Sequence, residues 1–109
     1  MENFKKYGPK GNDIIAKQFE ISYISGVSFC LGNVQKYLTR YISNSDKSNN
    51  INDIVKVYDY LSRLNTETYN FDVLYKIYYI MDMISHKKYQ YSIELSIDLQ
   101  KEIVKDSIN

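Results

Sequence analysis

The sequence contains no tryptophan, one cysteine, one proline and only two arginines among its 14 basic residues. The single Cys30 excludes an internal disulfide and suits a reducing compartment. No apolar run approaches the roughly 18 residues that cross a bilayer. The opening Met1-Glu2-Asn3-Phe4-Lys5-Lys6 has no secretory-leader pattern. These absences predict a cytoplasmic protein without a membrane partner. A net charge of +1 excludes a broad basic field for nucleic acid, so any anion recognition must be local.

Catalytic signatures are missing as well. There is no G-x-x-x-x-G-K-[ST] phosphate loop and no G-x-G-x-x-G fingerprint. The E-x-x-E pair with which all-α nucleotide pyrophosphatases hold magnesium is absent. His86 has no Cys or His at metal-ligand spacing and reads as a helix C-terminal residue favoured by the dipole. Cys30 has no helper histidine nearby in sequence and reads as core.

What is present fits one domain of ordinary composition, with 44% hydrophobic and 25% charged residues over 109 positions. Tyrosine occurs 12 times. Isoleucine, asparagine and lysine are also heavily used, the bias of an AT-rich genome, so tyrosine number alone says nothing about function.

Residues 1–12 read as an irregular arm, because Tyr7-Gly8-Pro9-Lys10-Gly11-Asn12 concentrates turn formers. Asn12 or Asp13 caps a first helix through Ile14, Ile15, Phe19 and Ile21. Gly26 interrupts the next stretch. A second helix then runs to about Ile42, with Val27, Leu31, Val34, Leu38 and Tyr41 on its apolar face. Residues 43–50 form a polar loop. Asn50 or Asn52 caps a third helix whose core face is Ile51, Ile54, Tyr58, Leu61 and Leu64 or Asn65. A fourth helix spans Phe71 to about His86 and is apolar over a wide arc, as at a bundle centre or an oligomer interface.

The tail is ambiguous. Ile93 to Gln100 alternates like a strand, yet Leu95, Leu99 and Ile103 make a helical stripe, and helix is the favoured reading. The expected fold is an all-α bundle of four to five helices around a central antiparallel helical hairpin. It forms a single helical domain over 1–109, with the hairpin at 26–64 and C-terminal helices at 71–106. A homo-oligomer is expected.

Two polar stripes stand out. Asn33, Lys36, Tyr37 and Arg40 share one face of the second helix, although like charges four apart cost a helix a few tenths of a kcal/mol. Asp53, Lys56, Tyr60 and Arg63 share a face of the third. Where lysine is the default cation, an arginine suggests a site needing a planar bidentate donor. Lys36, Arg40 and Arg63, with Lys56, therefore form a candidate phosphate grip, Asn33 an orienting hydrogen-bond group, and Tyr37 or Tyr60 a stacking platform. Asp53 is the candidate for holding a magnesium ion. The plain alternative is a solvated face closed by an Arg40–Asp53 salt bridge. Three weaker features read as structural: Tyr7 to Asn12 as a turn rather than a phosphate cradle, Asp59 as an i,i+4 partner of Arg63, and Glu94, Asp98, Glu102 and Asp106 as a solvated helix edge.

The run Phe29-Cys30-Leu31-Gly32-Asn33-Val34-Gln35-Lys36-Tyr37-Leu38-Thr39-Arg40-Tyr41, followed by Asp53-Ile54-Val55-Lys56 and Tyr60-Leu61-Ser62-Arg63-Leu64, resembles the small phage-encoded SaV-like family, described as nucleotide kinase-like. The resemblance covers residues 26–64. It implies a helical phage protein in the host cytoplasm that binds a nucleotide or nucleotide-like molecule, with Mg2+ if it transfers phosphoryl groups, and with Asn33, Lys36, Tyr37, Arg40, Asp53, Lys56, Tyr60 and Arg63 as shared polar positions. Lys6-Tyr7 stands where family members open with His-Tyr, and Val57 where they carry alanine. The alternative function is a non-enzymatic counter-defence protein that sequesters a signalling nucleotide or binds a host protein through the tyrosine-rich fourth helix.

Overall fold

The longest helix takes its place from one stripe of small and branched apolar residues. In the computed structural model, which describes residues 13–43 and 51–108, α2 (Tyr23–Ser43) buries Val27, Cys30, Leu31, Val34 and Leu38 completely. Burying a Val or Leu side chain contributes about 1.5–3 kcal/mol, so this stripe anchors the core. Around it stand α1 (Ile14–Ile21), α3 (Ile51–Thr66), α4 (Phe71–Ser85) and α5 (Tyr89–Ile108). Among the described residues there is no strand, and no helix is long and apolar enough to cross a membrane.

Pairwise contacts fix the topology. Tyr23 at the start of α2 meets Thr68 just past α3, and Arg40 near its end meets Asp53 at the start of α3, so the two helices are antiparallel. Tyr41 meets Tyr89 and Gln35 meets Gln100, so α5 also runs antiparallel to α2. Tyr58 with Met81 pairs α3 with α4, and Lys76 with Glu102 pairs α4 with α5. The result is an up-down-up-down four-helix bundle, with the short α1 packed on α2. The all-α bundle and its central hairpin are as the sequence predicts.

Three helix ends have a local cause in the side chains and turns beside them. Asp13 caps α1 by accepting from the Ile15 and Ala16 amides at 3.0 and 3.2 Å. Asn70 caps α4 in the same way, from Asp72 and Val73 at 2.9 and 3.1 Å. The C-terminus of α4 closes with Lys87 N–H to Ile84 C=O and Lys88 N–H to Met83 C=O, both 2.9 Å. This Schellman pattern puts Lys87 at φ 63°, a conformation usually left to glycine.

Three expectations are corrected. The chain breaks at Ser22, which is extended (φ −171°, ψ 161°), while Gly26 lies inside α2. Phe19 explains the glycine: a Cβ at position 26 would overlap the Phe19 ring. In α3 the buried face is Asp53, Val57, Tyr60, Leu61 and Leu64, and Ile51 is exposed. The helix is turned towards the side that packs on α2, because Val57 and Tyr60 fill that seam. On α4 the core face is a clean Val73, Ile77, Ile80 and Ile84 row, and the aromatic residues point outward. The tail is helical, and Ser92 and Ser96 are buried where small side chains let α5 close on α2. The expected arm at 1–12 (with its Tyr7 to Asn12 turn), the polar loop at 44–50 and the Asn50 cap lie outside the described residues.

Candidate functional site

The site grows from Tyr37, a half-buried ring on α2 facing α3. It stacks on Tyr60 at 6.1 Å between centroids with 15° between planes, and Phe29 meets the Tyr60 ring edge-on. Tyr60 is therefore core and lies beneath the site; it is not an open stacking surface. The space that sequence reasoning reserved for a ligand between α2 and α3 is filled by this aromatic pair.

Three cations gather over the Tyr37 ring. Lys36 Nζ lies 5.2 Å from the Tyr37 centroid, Arg40 Cζ 5.4 Å and Lys56 Nζ 4.8 Å. Each such contact contributes about 0.5–1 kcal/mol at an exposed site, which offsets the repulsion among like charges in water. Among the described residues no ion pair joins Lys36 or Lys56 to a carboxylate. Among the described residues the local balance is positive, and an anion resting on the three groups would relieve it.

Asp53 is the acid of the cluster. Its Oδ1 stands 3.8 Å from Arg40 Nη2, beyond hydrogen-bonding distance. It also sits in the first turn of α3, where the helix dipole favours a negative charge. The plain alternative of an Arg40–Asp53 bridge thus exists as a loose pair that engages one of three cations. For the magnesium expected at Asp53, the carboxylate faces a guanidinium, and the described residues hold no group of three or more His, Cys, Asp or Glu side chains able to take a metal ion.

Two expected members stand apart. Asn33 donates its amide to the Phe29 carbonyl one turn back at 2.8 Å, so that donor is spent on its own helix. Arg63 lies at the far end of α3, about 10 Å along the axis from Lys56 by helical rise. Its Nη1 meets Asp13 Oδ2 at 2.7 Å, tying α3 to the cap of α1. Sequence reasoning treated Asp13 only as a cap and so missed this pairing. It also missed Gln35, whose amide donates to Ser96 Oγ and Gln100 Oε1 at 3.1 and 2.8 Å across the α2–α5 seam. No periodicity marks that residue, since its partners lie more than sixty positions away.

The acidic edge of α5 is partly engaged, with Glu102 accepting twice from Lys76 at 2.7 and 2.8 Å. Cys30 is buried, and desolvation pushes its thiol up to about 12, against a smaller lowering by Arg63. It is core, as the sequence suggests.

No family model matches the chain, and neither does any curated protein or solved structure.

Proposed function

We propose that this protein binds a phosphorylated small molecule of the nucleotide type, with its phosphate held by Lys36, Arg40 and Lys56 around Tyr37. The observation that carries this reading is the convergence of three cations on one ring within 5.4 Å, two of them without a carboxylate among the described residues. Arg40 supplies the planar donor and the lysines supply charge. The resemblance of residues 26–64 to the SaV-like phage family points the same way. The reading is of binding, on a surface patch, and no transfer step is assigned.

A nucleotide panel with thermal unfolding tests it. A ligand present at a hundredfold excess over its Kd stabilises by about 2.7 kcal/mol. The Lys36→Gln/Lys56→Gln variant, altered only at side chains reaching solvent, loses that gain. If no mono-, di-, tri- or cyclic nucleotide shifts the transition, the reading fails.

A second reading, an interaction protein that engages a host protein or a second copy of itself, is favoured by α4. Phe71, Tyr75 and Tyr78 stand one above another on its outer face and are 87%, 70% and 57% exposed. Aromatic side chains each present roughly 150–250 Å², so the row reaches the several hundred Å² at which a patch marks a binding surface. A photo-crosslinking residue at Tyr78 would capture such a partner in cells, and Tyr75→Ser would abolish the adduct.

A further inference from the structure

At the end of the bundle away from Tyr37 lies a hollow of about 580 Å³, between the start of α2, the α3–α4 connection and the end of α5. Its volume is that of a small-molecule site, about 300–1,000 Å³. Tyr23, Tyr69, Val73 and Ile103 give it a largely apolar wall. Among the described residues, the charged groups on its lining are two carboxylates, Glu67 and Asp106, and no lysine, arginine or histidine lines it. Neither carboxylate has an ion-pair partner among the described residues.

One wall is held in place before any ligand arrives. Thr68 is buried and donates its hydroxyl to the Leu64 carbonyl at 2.7 Å, so it accepts the Tyr23 hydroxyl proton at 2.9 Å. The Tyr23 ring is thereby fixed on the rim, which lowers the entropic cost of packing against it. Tyr69, almost fully exposed, offers a second ring.

We propose that this hollow binds a small organic amine with an apolar body, an arylalkylamine in chemical class. The cavity itself defines the site, and the acids define what enters it. An apolar body is drawn by the wall, and an ammonium group is drawn by Glu67 and Asp106 and by the faces of Tyr23 and Tyr69. A neutral analogue gains only the first of these. An anion is repelled, which sets this site apart from the cationic cluster about 20 Å away along α2, from Tyr23 to Tyr37 by helical rise.

Calorimetric titration of the whole chain with phenethylamine, 2-phenylethanol and 3-phenylpropanoate tests the proposal, with amide resonances reporting the location. Phenethylamine is expected to bind about tenfold tighter than the alcohol, and the carboxylate not at all. Its shifts should centre on residues 67–73 and 103–107. In Glu67→Gln/Asp106→Asn, two exposed positions whose change spares the core, the amine should lose most of its advantage over the alcohol, keeping only what the tyrosine rings supply. Equal affinity for amine and alcohol would overturn the proposal. So would shifts centred elsewhere, or no binding of the amine up to about 10 mM.

Discussion

Arg40 and Asp53 face one another across the α2–α3 seam at 3.8 Å, the guanidinium 52% exposed and the carboxylate only 9%. The pair is long and wet on one side, and exposed pairs contribute about 0–1 kcal/mol. Asp53→Asn should therefore cost no more than about 2 kcal/mol of stability, dipole contribution included. It should raise affinity for a phosphorylated ligand at Tyr37 about fivefold, by removing the competing charge. Urea titration and calorimetry measure the two effects, and a drop in affinity would count against Tyr37 as the centre of the site.

Asp13 has two duties on two oxygens. Oδ1 caps α1, and Oδ2 meets Arg63 at 2.7 Å. Asp13→Ala loses both and should cost about 2 kcal/mol, whereas Asp13→Asn keeps an acceptor for the cap and should cost about half of that. In urea denaturation, no loss in Asp13→Asn would mean that the ion pair contributes nothing, and equal losses would mean that the cap contributes nothing.

The two glycines of α2 predict opposite signs. A methyl at Gly26 overlaps the Phe19 ring, so Gly26→Ala should destabilise by about 1–3 kcal/mol. Nothing lies within 4 Å of a Cβ at Gly32, so Gly32→Ala should gain about 0.5–1 kcal/mol from helix propensity. Thermal unfolding of the two variants side by side checks both.

Lys87 occupies the left-handed position of a Schellman turn, where a Cβ costs roughly 1 kcal/mol. Lys87→Gly should raise the melting temperature with no change in helix content by circular dichroism.

Cys30 should resist thiol-specific disulfide reagents at about pH 8 until the protein unfolds. Its pKa is raised from 9.0 to about 12, chiefly by burial. Above pH 9.0 the unfolded thiol ionises while the folded one does not, so stability falls by about 1.4 kcal/mol per pH unit over that window. Tyr58 and Tyr89, raised first by burial, act in the same direction. So does Lys76, raised by its hydrogen bonds to Glu102 and then Asp72: the stability it gives stands below 10.5 while those carboxylates are ionised and is lost as pH rises through its folded pKa. Base denaturation, followed by circular dichroism with and without Cys30→Ala, isolates the thiol contribution.

The sequence made the helices legible because a 3.6-residue apolar period needs no tertiary information. Val27, Leu31, Val34 and Leu38 are buried as their spacing requires. Rotation was less legible. On α3 both polar and apolar stripes fit the period, and only packing of Val57 and Tyr60 on α2 decides which side turns inward. At the candidate site, Lys36, Tyr37, Arg40, Asp53 and Lys56 do come together, since the hairpin brings the end of one helix beside the start of the next. Arg63 was misplaced because its partner sits on α1, and no local spacing encodes a contact fifty residues away. The α5 hollow drew no notice for the same reason, being assembled from three distant segments.

The outward row on α4 also gives the molecule an optical voice. With no tryptophan in the chain, ultraviolet emission excited at wavelengths where its phenylalanines barely absorb comes from its 12 tyrosines. Tyr75 and Tyr78 stand in solvent within reach of a collisional quencher such as iodide, while Tyr60 is sealed beneath Tyr37. Anything that settles on α4 would shield the first two and leave the third unchanged, so unlabelled protein reports occupancy of that face by itself.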